Sequence, residues 1–167
     1  MTILVVDDAS IMRMILKDIL MRYGQFSKSD IIEAAGGEEA IRKYKEHMPE
    51  LVLCDIAMPD MSGVEVVKVL KQFNPDANII MCTASTDKED VKACVHAGAK
   101  DYIYKPPKPE RVIKAIEAIT GKTLGGGVEK PDRRGESAGG NMVTRKEFDE
   151  LKAEVDRLRG IVEGLGK

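Results

Sequence analysis

The chain has 167 residues and a formal net charge of −2, which suits one ordinary domain or one domain with a small appendage and offers no global basic field to nucleic acid or anionic membrane. No apolar run reaches the roughly 18 residues of a membrane span, and the start, MTILVVDDAS, lacks the basic region of a signal peptide, so a cytoplasmic protein without membrane insertion is expected. The three cysteines, Cys54, Cys82 and Cys94, show no CxxC spacing, which argues against a disulfide framework or zinc site and for reduced packing residues.

Taken in chain order, TILVVD (2–7) is a continuous apolar run and predicts a buried strand. SIMRMILKDILMRY (10–23) repeats apolar residues at helical spacing. DIIEAA (30–35) predicts a strand and GGEEAIRKYKEH (36–47) a helix. ELVLCD (50–55) and GVEVVKVLKQF (63–73) repeat the pair, as do NIIMCT (78–83) and DKEDVKACVHAG (87–98). Gly98 sits where a helix C-cap belongs. DYIYK (101–105) is the fifth strand and PERVIKAIEAIT (109–120) the fifth helix, with Pro109 in its first turn. Strict strand–helix alternation implies an α/β fold, a doubly wound five-stranded parallel sheet with helices on both faces. Residues 121–142 are rich in Gly and poor in apolar residues, and predict a flexible linker between a domain at 1–120 and a helix at 143–167.

The strand ends carry the chemistry. The first delivers Asp7 and Asp8, the third Asp55, the fourth Thr83 and the fifth Lys105. In a doubly wound sheet these ends share the edge where ligands bind. Any one of them alone would read as a surface acid or base. Together, three crowded carboxylates call for a hard divalent cation such as Mg²⁺, which prefers oxygen ligands and sits beside phosphoryl groups. An ammonium and a hydroxyl nearby would neutralise and hydrogen-bond a phosphoryl group on Asp55. The set predicts a phosphoryl-acceptor site.

These residues carry a resemblance. LVVDDAS, LCDIAMPDMSG, MCTAS and YIYKP match, in order and spacing, the receiver domain of two-component response regulators, and the whole resembles the CheY-like, chemotaxis branch over residues 2 to about 120. The resemblance implies a flavodoxin-like (βα)5 fold and a Mg²⁺ cofactor. It implies that Asp55 is phosphorylated by a sensor histidine kinase and that Asp8, Asp55 and the backbone carbonyl of Ala57 bind the metal directly, with Asp7 acting through water. Thr83 would turn toward the phosphoryl group, Lys105 would pair with it, and Tyr102 would be the switch aromatic. The Lys105–Pro106 bond would be cis. The face of the fourth helix, fifth strand and fifth helix would meet an unidentified target protein. Ala57 and Ser85 stand where the family tunes autodephosphorylation, and neither can orient water, so fast turnover is not expected.

In the tail, Thr144 and Glu147 form a capping box, and Phe148, Leu151, Val155, Leu158, Val162 and Leu165 alternate spacings of three and four over about three heptads. Glu147 and Glu154 at g, with Lys152 and Arg159 at e, fit a parallel pair, so a homodimer through a short coiled coil is expected. Gly160 and Gly164 weaken it, each by about 1 kcal/mol relative to Ala. The other use of such a stripe is docking on the chain's own receiver or on a partner. Two further functions compete with phosphoacceptor signalling: an Asp-nucleophile phosphohydrolase, which usually shows Asp-x-Asp rather than adjacent Asp7 and Asp8, and a scaffold using the receiver only as a fold.

Overall fold

Short apolar runs bounded by turn residues become strands, the three central ones buried along their whole length. In the computed structural model, which describes residues 1–125 and 143–165, these are β1 (Ile3–Val6), β2 (Ile31–Ala34), β3 (Leu51–Asp55), β4 (Ile79–Thr83) and β5 (Asp101–Tyr104). They alternate with α1 (Ser10–Tyr23), α2 (Gly37–His47), α3 (Gly63–Phe73), α4 (Lys88–Ala97) and α5 (Pro109–Thr120). All pairings are parallel, in the order β2-β1-β3-β4-β5. The order reverses between β1 and β3, so the crevice at their carboxyl ends is the place for a ligand.

Strand side chains alternate between two cores. Leu4, Val6, Val52, Cys54, Ile79 and Met81 face α2, α3 and α4, while Ile3, Val5, Leu51, Leu53, Ile80 and Cys82 face α1 and α5. Among the described residues, no helix is long and apolar enough to cross a membrane.

The starts of α3 and α4 are capped by their own sequence, those of α1 and α5 carry no side-chain cap, and one start is held from a distance. Ser62 and Glu65 form a reciprocal capping box on α3, Asp87 caps α4, and Gly98 closes α4 at φ 113°. That last start belongs to α2, whose Glu38 amide donates to Asp60 from the β3–α3 loop at 3.0 Å.

Residues 121–125, expected to belong to a loose linker, stay on the receiver. Lys122 pairs with Glu50 at 2.8 Å, the Leu124 amide donates to Glu117 at 2.7 Å, and Leu124 packs on the α1–α5 core. The rest of the linker, 126–142, lies outside the described residues.

The final helix, α6 (Arg145–Leu165), opens with the expected capping box, in which the Glu147 amide donates to Thr144 Oγ1 at 3.2 Å and the Thr144 amide to Glu147 at 2.8 Å. Its apolar stripe lies against its own receiver. Phe148 is fully buried, Val155 nearly so, and Leu151 packs beside them on the core that contains Val91, Cys94, Val95 and Tyr102. The Phe148 and Tyr102 rings lie 4.7 Å apart. Burying Phe148 contributes roughly 1.5–3 kcal/mol to this docking. This differs from the expected two-copy seam, because Phe148, Leu151 and Val155 cannot cover a receiver and a second helix at once. Three of the four charges expected to pair between copies are used on the receiver too. Glu147 meets Lys88 at 2.9 Å, Lys152 donates to the Lys100 carbonyl and Arg159 to the His96 carbonyl. Leu158 is left half exposed. The side chains of Val162 and Leu165 lie outside the described residues.

Candidate functional site

β1 and β3 are adjacent and in register from Ile3 opposite Leu51 to Val6 opposite Cys54, so their next residues, Asp7 and Asp55, emerge side by side. Asp8 follows, and carboxylate oxygens of Asp7, Asp8 and Asp55 lie within 4.8 Å of one another. Asp7 and Asp55 are buried and Asp8 is exposed, so the cluster opens to solvent on one side. From β5, Lys105 Nζ donates to Asp7 at 2.6 Å and lies 3.0 Å from Asp55. From β4, Thr83 ends its strand buried, one residue past Cys82, which is opposite Asp55. The Lys105 amide donates to the Thr83 carbonyl at 2.8 Å, which fixes these two strand ends together. The Lys105–Pro106 peptide is cis.

Two kinds of support hold the carboxylates. The Ala9 amide donates to Asp7 Oδ1 at 2.9 Å, and Arg13 donates to the Asp7 carbonyl at 2.7 Å. The Ala57 amide reaches Asp55 Oδ1 at 3.4 Å. The β3–α3 loop turns back sharply, with the Gly63 amide on the Ile56 carbonyl at 2.7 Å. A Cβ at Gly63 would stand 2.0 Å from the Asp55 carbonyl oxygen, so the loop closes this tightly only because Gly63 has none.

Burial pushes the Asp55 carboxyl above the usual carboxylate range, and the Lys105 ammonium offsets part of that. Burial also opposes the charge on Lys105, but its hydrogen bonds to Asp7 and Asp55 outweigh it and raise the Lys105 pKa. The site therefore holds an excess of negative charge around one internal cation. Such a pocket suits a further hard cation with oxygen preference.

Thr83 Oγ1 accepts from the Ser85 amide at 2.9 Å, and Ser85 Oγ donates to Asp90 at 2.6 Å. The threonine is thus tied to the start of α4. Tyr102 lies away from the carboxylates, under α6, and its hydroxyl donates to the Val143 carbonyl at 2.6 Å. His47 and His96 are exposed helix residues.

Sequence reasoning missed Arg13, which joins α1 to Asp7 and to Glu33 on β2 at 3.5 Å. It also missed Asp101, which is buried between Arg111 of α5 and Arg145 of α6. Both are acids or bases inside helix or strand patterns whose partners come from other elements, so no local signal marks them.

Comparison with known proteins agrees with this geometry. The response regulator receiver domain family matches residues 3–117. The chain is 47% identical over 114 residues to the chemotaxis protein CheY of Bacillus subtilis, covering 68% of this chain and 92% of that protein. It is 42% identical over 118 residues to CheY of Thermotoga maritima, covering 71% and 96%. Among solved structures, the CheX–CheY–BeF3–Mg complex from Borrelia burgdorferi contains a chain 34% identical, with a TM-score of 0.64, covering 72% of this chain and 90% of that one. The protein is thus a CheY-like signalling receiver of the two-component type, and it belongs to the response regulator receiver domain family.

Proposed function

We propose that Asp55 accepts a phosphoryl group from the phosphohistidine of a sensor kinase. The observation that carries this is the convergence of three carboxylates within 4.8 Å, with Lys105 Nζ 3.0 Å from Asp55. An Asp55 carboxylate oxygen would form the new P–O bond as the P–N bond to the kinase imidazole breaks. Asp7, Asp8 and Asp55, with the carbonyl of Ala57, would hold Mg²⁺. Bound there, the cation neutralises charge on the phosphoryl oxygens. The solved Borrelia relative, described with BeF3 and Mg²⁺, supports this.

The chain's own groups supply the rest. Lys105 exchanges its carboxylate partners for a phosphoryl oxygen. The Thr83 hydroxyl donates to another oxygen, and Tyr102 responds on the α4–β5–α5 face that meets the target. The work is positioning and charge stabilisation rather than turnover of a substrate. Labelling with radioactive acetyl phosphate tests it. Label is expected on the wild-type chain with Mg²⁺, and to be lost in Asp55→Asn or with excess chelator. Label persisting in Asp55→Asn at wild-type level would exclude the assignment. Steady hydrolysis of a generic phosphate ester would favour a phosphohydrolase instead.

A second reading concerns assembly. Leu158 and Ile161 are exposed on the distal half of α6, which supports self-association of two chains through that end. Light scattering over a concentration series tests it, with a mass near twice the monomer expected at high concentration.

A further inference from the structure

The α4–β5 face is covered by an element additional to the receiver. The receiver domain family matches residues 3–117, which end before α6. The cover is a side-chain fit with polar handles. Val143 is clasped by two tyrosines: Tyr102 donates to its carbonyl at 2.6 Å, and its amide donates to the Tyr104 hydroxyl at 3.0 Å. Phe148 fills the space beside Tyr102, and Val155 continues the stripe toward the end of α4. Arg145 pairs with Asp101 and Glu147 with Lys88.

The seat is built on the elements that leave the acidic site. β5 runs from Asp101 through Tyr104 to Lys105, which contacts Asp55. The loop into α4 hangs on Thr83 Oγ1 through Ser85 and Asp90, and Lys88 of that same helix holds Glu147. A phosphoryl anion on Asp55 would draw the Thr83 hydroxyl toward itself as a donor and compete with the carboxylates for Lys105, and so would disturb both sides of the seat. The handles are of a kind that water can replace. The tyrosine hydroxyls and the Val143 peptide would remain hydrogen-bonded after release, so leaving the seat strands no buried polar group.

We propose that this face is a seat for an amphipathic helix with the pattern Arg-x-x-Phe-x-x-Leu-x-x-x-Val, and that α6 is its built-in occupant. A target helix of the same chemistry must displace Arg145, Phe148, Leu151 and Val155 to bind. α6 thereby sets a threshold on output: the receiver engages its target only when the target outcompetes the chain's own helix or when the seat is loosened from the acidic side. The inference rests on reading this face as the output surface, but its test needs no phosphoryl group and so fails separately from the labelling of Asp55.

The probe is a fluorescein-labelled peptide of residues 143–161, titrated with full-length protein and followed by anisotropy. Wild type, its seat filled, should bind the peptide at least tenfold more weakly than full-length Phe148→Asp, whose own α6 is dislodged. Val155→Asp and Arg145→Glu should shift binding in the same direction, and serve if Phe148→Asp fails to fold by circular dichroism. A peptide carrying the Phe148→Asp change should bind none of them. Equal binding by wild type and the folded variants, or binding by none, would overturn the proposal. So would a wild-type dimer that Phe148→Asp turns into a monomer, since α6 would then sit on a neighbouring copy.

Discussion

The acidic site depends on residues that do no chemistry themselves. Gly63 is the sharpest case, because the Asp55 carbonyl occupies the place of its missing Cβ at 2.0 Å. Gly63→Ala should therefore destabilise the receiver by about 3 kcal/mol, the upper end for overpacking. Urea unfolding would measure this, and a loss under about 0.5 kcal/mol would show that the loop can give way. The site carboxylates were legible because each follows an apolar run, and strand ends in such a sheet must share an edge. The residues that hold them were not. Arg13 sits in an amphipathic helix like any solvated cation, yet its guanidinium donates to the Asp7 carbonyl at 2.7 Å. Asp101 opens β5 and is closed in by cations from α5 and α6 that the sequence separates widely. Such pairs are set by packing, and packing is not written in local spacing.

At the scale of elements, periodicity located every strand and α-helix of the receiver, with ends displaced by a residue or so, but missed the single 3₁₀ turn at Lys28–Asp30, which is too short to show a period. Caps divide into local and distant. The Ser62–Glu65 box is local and readable, with the Glu65 amide on Ser62 Oγ at 3.3 Å and the Ser62 amide on Glu65 at 3.0 Å. Ser62→Ala should cost about 1 kcal/mol by thermal unfolding, with α3 fraying first in hydrogen exchange. An unchanged midpoint would mean that loop contacts alone fix the start of α3. The α2 start shows the other kind, held by Asp60 from another loop. For α6 the stripe was legible and its covering was not. The same Phe148, Leu151 and Val155 spacing serves a coiled-coil seam or a docking face, and only the shape of the partner surface decides. Here that surface has Tyr102, Val91, Cys94 and Val95 ready to receive it.

The whole molecule has its three thiols in the core, all 0–1% exposed. Burial pushes the Cys54 thiol well up, and the Cys82 and Cys94 thiols up to about 12. Neither access nor thiolate is available in the folded state. Ellman's reagent should then release no colour from native protein, and three equivalents per chain in denaturant. Prompt reaction of one thiol in buffer would mark local opening rather than global unfolding.

The alkaline pH response should be a contest between one lysine and the buried thiols and tyrosines. Lys71 of α3 is partly buried and its pKa is pushed down to about 8, first by burial and then by Lys100, Arg159 and Lys152, with Asp76 opposing. Two of those cations belong to α6, so its docking brings positive charge toward a site already short of solvent. The native state then sheds this proton near pH 8, whereas the unfolded chain keeps it to about 10.4. Between those values the unfolded state binds more protons, so this group makes stability rise with pH. Its share is about 1–2 kcal/mol after discounting for solvent screening at a partly buried site. The three buried thiols oppose this rise from about pH 8.5, where unfolded cysteines ionise while Cys54, Cys82 and Cys94 stay protonated in the fold, and the tyrosines add to this above about pH 10. Burial raises the Tyr102 pKa to about 12 and raises Tyr104 as well, so the unfolded tyrosines lose protons first and stability falls. Chemical unfolding at intervals from pH 7 to 11 should show the balance of these groups, with stability falling at the alkaline end. Lys71→Met should make that fall steeper, because the methionine keeps the packing stem and takes away the one group among these whose proton loss favours the fold. If Lys71→Met leaves the slope unchanged, the ammonium is better solvated than its position beside Gly98 and α6 implies, and the three neighbouring cations cost the fold little.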